Sequence, residues 1–70
     1  MIGIFDSGIG GLTVVRELMR QAPDASFLYL GDTARTPYGN KTAETVQRYA
    51  IEDARFLIER GATSIIIACN

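Results

Sequence analysis

Two polar loops and a lone thiol hold nearly all the chemically useful side chains of this sequence that do not belong to helix surfaces. Asp6 and Ser7 stand ahead of Gly8, Gly10 and Gly11, and Gly31-Asp32-Thr33-Ala34-Arg35-Thr36-Pro37-Tyr38-Gly39 forms a second stretch of the same character. Cys69, the single cysteine, follows Ile65-Ile66-Ile67-Ala68 and precedes Asn70. A thiol of ordinary pKa (~8.5) needs only modest help to become a thiolate that takes a proton or attacks carbon. The chain has no histidine, so a Cys–His hydrolase pair cannot be completed within it. Asp6 is the candidate to hold or receive the thiol's proton. The competing reading of Cys69 is a buried structural thiol, since free cysteine is among the most buried residue types.

The first loop fails the nucleotide fingerprints on residue identity. Gly8 and Gly10 supply the first pair of a G-x-G-x-x-G motif, but Thr13 occupies the third glycine position. A Walker A loop requires a lysine, and none is near. What remains is a glycine-rich turn whose backbone N–H groups can face an anion at a helix N-terminus, with Asp6 available to an amine. The alternative is that Asp6 or Ser7 caps the helix that follows. In the second loop, Pro37 fixes one φ and Gly39 frees another, leaving the N–H groups of Tyr38 and Gly39 able to meet an anion. Arg35 adds a positive charge there, or else forms a structural ion pair with Asp32.

The elements that position these residues alternate. Ile2 to Phe5 is a short apolar strand. Leu12 to Gln21 carries apolar residues at helical spacing (Leu12, Val15, Leu18, Met19, then Ala22), and Pro23 follows its end. Ser26 to Leu30 is a second strand, and residues 32–41 form a loop. Thr42 to Arg60 is a long helix with Val46, Ala50, Ala54, Leu57 and Ile58 on its apolar face. Gly61 is its C-cap, and Ser64 to Ala68 a third strand. The order β-α-β-α-β predicts a three-stranded parallel sheet built by right-handed crossovers. The isoleucine run predicts a third strand buried on both faces. All three strand tips then point one way, which brings the loops after them and Cys69-Asn70 to one edge.

Composition bounds the function. Of 70 residues, 47% are hydrophobic and 21% charged, which is the balance of a folded protein rather than a disordered one. The net charge of −1, with no basic cluster, argues against nucleic acid as a partner. One cysteine excludes an internal disulfide. The N-terminus lacks the charged and apolar regions of a signal peptide, and no apolar run approaches the ~20 residues of a membrane span. The expectation is a cytoplasmic protein. Two helices cover both faces of three strands poorly, so the reading expects a piece of a larger α/β protein, with a complete 70-residue domain as the alternative.

Three stretches of this sequence, Asp6-Ser7-Gly8-Ile9-Gly10-Gly11-Leu12-Thr13-Val14, Gly31 through Gly39, and Ala68-Cys69-Asn70, resemble the N-terminal motifs of bacterial glutamate racemases, in the same order. The resemblance implies that residues 1–70 are the N-terminal part of the first of two similar α/β domains, with the site between them. It implies a cofactor-independent amino-acid racemase that interconverts L- and D-glutamate and supplies D-glutamate for peptidoglycan, using two cysteines on opposite sides of the substrate α-carbon. By the same resemblance Cys69 is one of the two and Asp6 its supporting carboxylate. Ser7 and Asn70 would bind the α-amino and α-carboxylate groups, and the N–H groups of Tyr38 and Gly39 the side-chain carboxylate. The second cysteine, with a histidine beside it, would lie outside these residues, so they alone are expected to be inactive. No metal is implied, and a homodimer is the family's frequent state. An aspartate racemase of the same fold and a non-catalytic anion-binding module are the alternatives.

Overall fold

The computed structural model describes residues 1–6, 8, 10–35 and 38–68, with Tyr38 through its backbone only. The strands are β1 (Ile2–Asp6), β2 (Phe27–Gly31) and β3 (Ser64–Ile67), and the helices are α1 (Leu12–Gln21) and α2 (Ala43–Glu59). The strands form one parallel sheet in the order β2-β1-β3. The predicted fold class therefore holds, with strand and helix limits within a residue of the periodicity.

β1 is the central strand, and its alternation divides the core. In parallel register Gly3 lies beside Leu28 and Ile65, and Phe5 beside Leu30 and Ile67. This face receives α2: Phe5, Leu57 and Ala62 are buried together, with Leu28, Leu30, Ala50, Ala54 and Ile65 packed around them. The approach is close at Gly3, where a Cβ would sit 3.0 Å from Ala62 Cβ and 3.1 Å from Leu57 Cβ. The opposite face carries Ile4, fully buried, then Asp6, Tyr29, Gly31 and Ala68.

Local signals explain the ends of α2. The Thr42 hydroxyl accepts from the Thr45 N–H at 3.1 Å, an N-cap. At the other end Gly61 adopts φ +103°, its N–H donating to the Ile58 carbonyl and that of Ala62 to the Leu57 carbonyl. This pair of bonds is the Schellman arrangement, and the left-handed residue in it favours glycine.

Three expectations are corrected. β3 is not buried on both faces, because it lies at a sheet edge; Ile67 is 60% exposed, and β1 is the buried strand instead. α1 buries no residue, leaving Leu12 and Met19 exposed. On α2, Ile58 is exposed while Asp53 joins the buried stripe, because it falls one turn from both Ala50 and Leu57. No helix among the described residues is long and apolar enough to cross a membrane.

Candidate functional site

The chain runs outward from β1 to β2 and then crosses back past β1 to β3, so the winding direction reverses at β1. In open α/β sheets ligands bind outside the strands' carboxyl ends at such a reversal. Asp6 is the last residue of β1. The ladder continues beside it through the Asp32 N–H on the Asp6 carbonyl (2.8 Å) and the Ala68 N–H on the Phe5 carbonyl (2.9 Å).

Asp6 is 3% exposed, and a carboxylate that deep must be met by donors. The Gly8 N–H donates to Oδ1 at 3.2 Å, the Gly11 N–H donates to Oδ2, and the Tyr29 hydroxyl lies 3.3 Å from Oδ2. The carboxylate thus sits at the N-terminus of α1, where the helix dipole favours negative charge. Gly11 is required by space: a Cβ there would lie 2.7 Å from Asp6 Oδ2 and 2.9 Å from Ala68 Cβ. Two of the glycine-loop N–H groups expected to face a ligand are therefore turned inward onto Asp6. The same loop that binds an anion by sequence logic here binds the protein's own carboxylate.

Two short 3-10 segments, Thr33–Arg35 and Tyr38–Asn40, form within the second loop. Arg35 resolves toward structure: its Nη2 meets Glu52 Oε2 at 2.7 Å, its Nε lies 3.7 Å from Asp32 Oδ2, and its guanidinium stacks 4.3 Å over the Tyr49 ring. Beneath it Asp53 is 6% exposed. Burial, followed by the neighbouring Asp32 carboxyl, pushes the Asp53 carboxyl up to about 6, against the opposing pull of Arg35. Asp32 Oδ2, Asp53 Oδ2 and Arg35 Nη1 are buried without hydrogen-bond partners. The cluster fastens the loop after β2 to α2.

Of the residues predicted for the site, Asp6 is at the strand tip as expected. Gly39 is in an exposed turn with open space where its Cβ would be, and no hydrogen bond of the described residues joins it to Asp6. Ser7, Cys69 and Asn70, and the side chain of Tyr38, lie outside the described residues. Sequence reasoning missed Tyr29 and Asp53. Strand alternation puts Tyr29 on the face of Asp6, and helical spacing puts Asp53 on that of Leu57, so both carried a signal. A concavity of about 490 Å³ between Glu44, Arg48, Ile51 and Arg55 runs along the outer side of α2. It carries mixed charge on a single helix.

A parallel sheet with a buried, donor-held carboxylate where its winding reverses defines an open α/β fold. No family model matches the chain. It is 59% identical over its whole length to a glutamate racemase of Koribacter versatilis, spanning 24% of that protein. It is 55% identical to a glutamate racemase of Thermus thermophilus over 99% of the chain and 27% of the relative. Among solved structures, glutamate racemase from Aquifex pyrophilus superposes with a TM-score of 0.91 at 47% identity, over 94% of this chain and 26% of that one. The Thermus thermophilus enzyme in complex with β-chloro-D-alanine also gives 0.91, at 54% identity, over 97% and 27%. The chain belongs to the glutamate racemase family and matches its N-terminal part, spanning about a quarter of the length of these relatives.

Proposed function

We propose that this chain supplies one side of a glutamate racemase site, in a cytoplasmic enzyme that works without pyridoxal phosphate and provides D-glutamate for peptidoglycan. Cys69 is the base that removes the α-proton from one face, or the acid that returns it, and a second cysteine from the rest of the fold serves the other face. Asp6 supports Cys69. Ser7 and Asn70 hold the α-amino and α-carboxylate groups, and the N–H groups of Tyr38 and Gly39 the side-chain carboxylate. The partner is thus a small amino acid, and a homodimer is the expected assembly.

The observation that carries this reading is the buried Asp6, held by two backbone N–H groups at the reversal of the sheet, in a chain so similar to glutamate racemases. The chemistry requires such rigidity. An α-proton beside a carboxylate is very weakly acidic, so the developing carbanion needs preorganised donors and a site closed to water. A carboxylate already fixed by its donors does not reorganise as the proton moves.

The test uses the protein at its full encoded length, freed of pyridoxal phosphate and incubated with L-glutamate in D₂O. D-glutamate should accumulate with deuterium at Cα. Cys69→Ser should abolish turnover, and Asp6→Asn should lower kcat by about 10²-fold or more, the range of a lost acid–base partner. Undiminished racemisation by Cys69→Ser would sink the two-thiol mechanism.

A further inference from the structure

The Tyr29 hydroxyl lies 3.3 Å from Asp6 Oδ2 and 3.3 Å from the Gly8 carbonyl oxygen. One phenolic proton serves both acceptors, which lengthens each contact beyond the ~2.8 Å of an undivided O–H···O bond. Tyr29 is in register with Ile4, one pleat short of Asp6, whose own partner on β2 is Gly31. A Cβ at Gly31 would lie 3.5 Å from both Tyr29 Cε1 and its hydroxyl, and 3.1 Å from the Gly8 carbonyl oxygen. The tyrosine ring therefore passes beside Gly31, at ordinary contact distance from where a side chain there would begin, and reaches the carboxylate diagonally. No other side chain among the described hydrogen bonds reaches Asp6; its remaining donors are backbone N–H groups of the loop.

We infer that Tyr29 is a positioning residue for the racemisation reaction, tying the Asp6 carboxylate and the Gly8 carbonyl to β2 so that the glycine loop and the candidate proton-transfer group keep one arrangement. The inference rests on the reading of Asp6 as the carboxylate that supports proton transfer. Tyr29 itself touches no reacting atom in this account. Its phenol titrates above the usual tyrosine value, chiefly from burial and then from the charge and hydrogen bond of Asp6. The contact with Asp6 therefore has a spectroscopic signature separate from activity.

The experiment compares wild type, Tyr29→Phe, Gly31→Ala and Asp6→Asn in the protein at its full encoded length. Phenylalanine keeps the ring over Gly31 and deletes only the hydroxyl. Tyr29→Phe should lower kcat about tenfold, or about 1.4 kcal/mol of barrier, with KM for glutamate held within about twofold. Gly31→Ala, whose new methyl presses on the Gly8 carbonyl oxygen that the hydroxyl also meets, should lower kcat in the same direction. An unchanged kcat in Tyr29→Phe overturns the inference. So does a fall in kcat matched by lost thermal stability and a raised KM, which marks a structural role. In parallel, the 13Cζ resonance of Tyr29 is titrated in wild type and Asp6→Asn. The phenol's midpoint should fall when the Asp6 charge is removed, and an unmoved midpoint overturns the inference. Should wild type fail to racemise glutamate, the functional reading falls by itself, and this titration still decides whether Tyr29 and Asp6 are coupled.

Discussion

A glycine's missing methyl matters where something else fills its place, and the glycine loop holds both cases. At Gly11, Asp6 Oδ2 and Ala68 Cβ stand where a side chain would begin, whereas nothing lies within 4 Å of a Cβ at Gly8 or Gly10. None of the three has positive φ, so conformational strain does not separate them. Gly11→Ala should therefore destabilise the fold by about 1–3 kcal/mol through overpacking. Gly10→Ala should stay within about 0.5 kcal/mol of wild type, as exposed substitutions do. Urea midpoints of the two variants check this, and equal losses would contradict the contact geometry. The sequence offered a glycine-rich turn able to face an anion, but which glycine is sterically required depends on Ala68, more than fifty positions away. Asp6 was legible as chemistry because a carboxylate at a strand tip is conspicuous. Tyr29 was not, because its part depends on the register of Asp6 with Gly31 across two strands.

Helix α2 joins the apolar core to the loop after β2, and two of its acids meet that loop. Glu52 reaches Arg35 at the surface, while Asp53 lies below among Asp32 and the same arginine. Folding raises the Asp53 carboxyl from an unfolded value near 3.9 to about 6, so the native state favours its protonated form. That contribution is complete below about pH 4 and is lost as pH rises through about 6. Replacing the acid with an amide removes the titration. The stability of Asp53→Asn relative to wild type should improve between pH 4 and pH 8, by on the order of 2 kcal/mol. Denaturation curves at the two values test it, and a difference independent of pH would place the proton elsewhere. The limits of α2 were readable because Thr42 and Gly61 act through neighbours in sequence. Asp53 escaped notice because a charged residue on an apolar stripe runs against the residue-type rule, although helical spacing puts it there.

At the scale of the whole molecule, strand order governs what was and was not readable. Alternation of elements predicted a parallel sheet, and the sheet is parallel. The unalternating isoleucine run predicted a strand buried on both faces, yet the crossover back past β1 leaves it at the edge. Burial follows position in the sheet, which residue type does not encode. The core is correspondingly small: among the described residues the buried apolar side chains are Ile4, Phe5, Leu57 and Ala62. Leu12, Met19, Ile58 and Ile67 are each at least half exposed. Prepared alone, the 70-residue chain should show a broad thermal transition by circular dichroism and no racemisation of glutamate. A sharp cooperative transition accompanied by turnover would refute both statements.

The central place of β1 also sets a timetable. Ile2 pairs with Phe27 on one side and with Ser64 on the other. At synthesis rates of about 5–20 residues per second, the second partner follows the first strand by several seconds. β1 thus waits through the making of both helices for its second neighbour. Such distant pairings close large loops before they contribute, which slows folding. Until β3 docks, one side of the strand that ends in Asp6 presents unpaired amides and carbonyls to any other extended chain. The aspartate at the heart of the candidate site thus belongs to a strand that stays half-paired until β3 is made, and is open to mispairing in that interval.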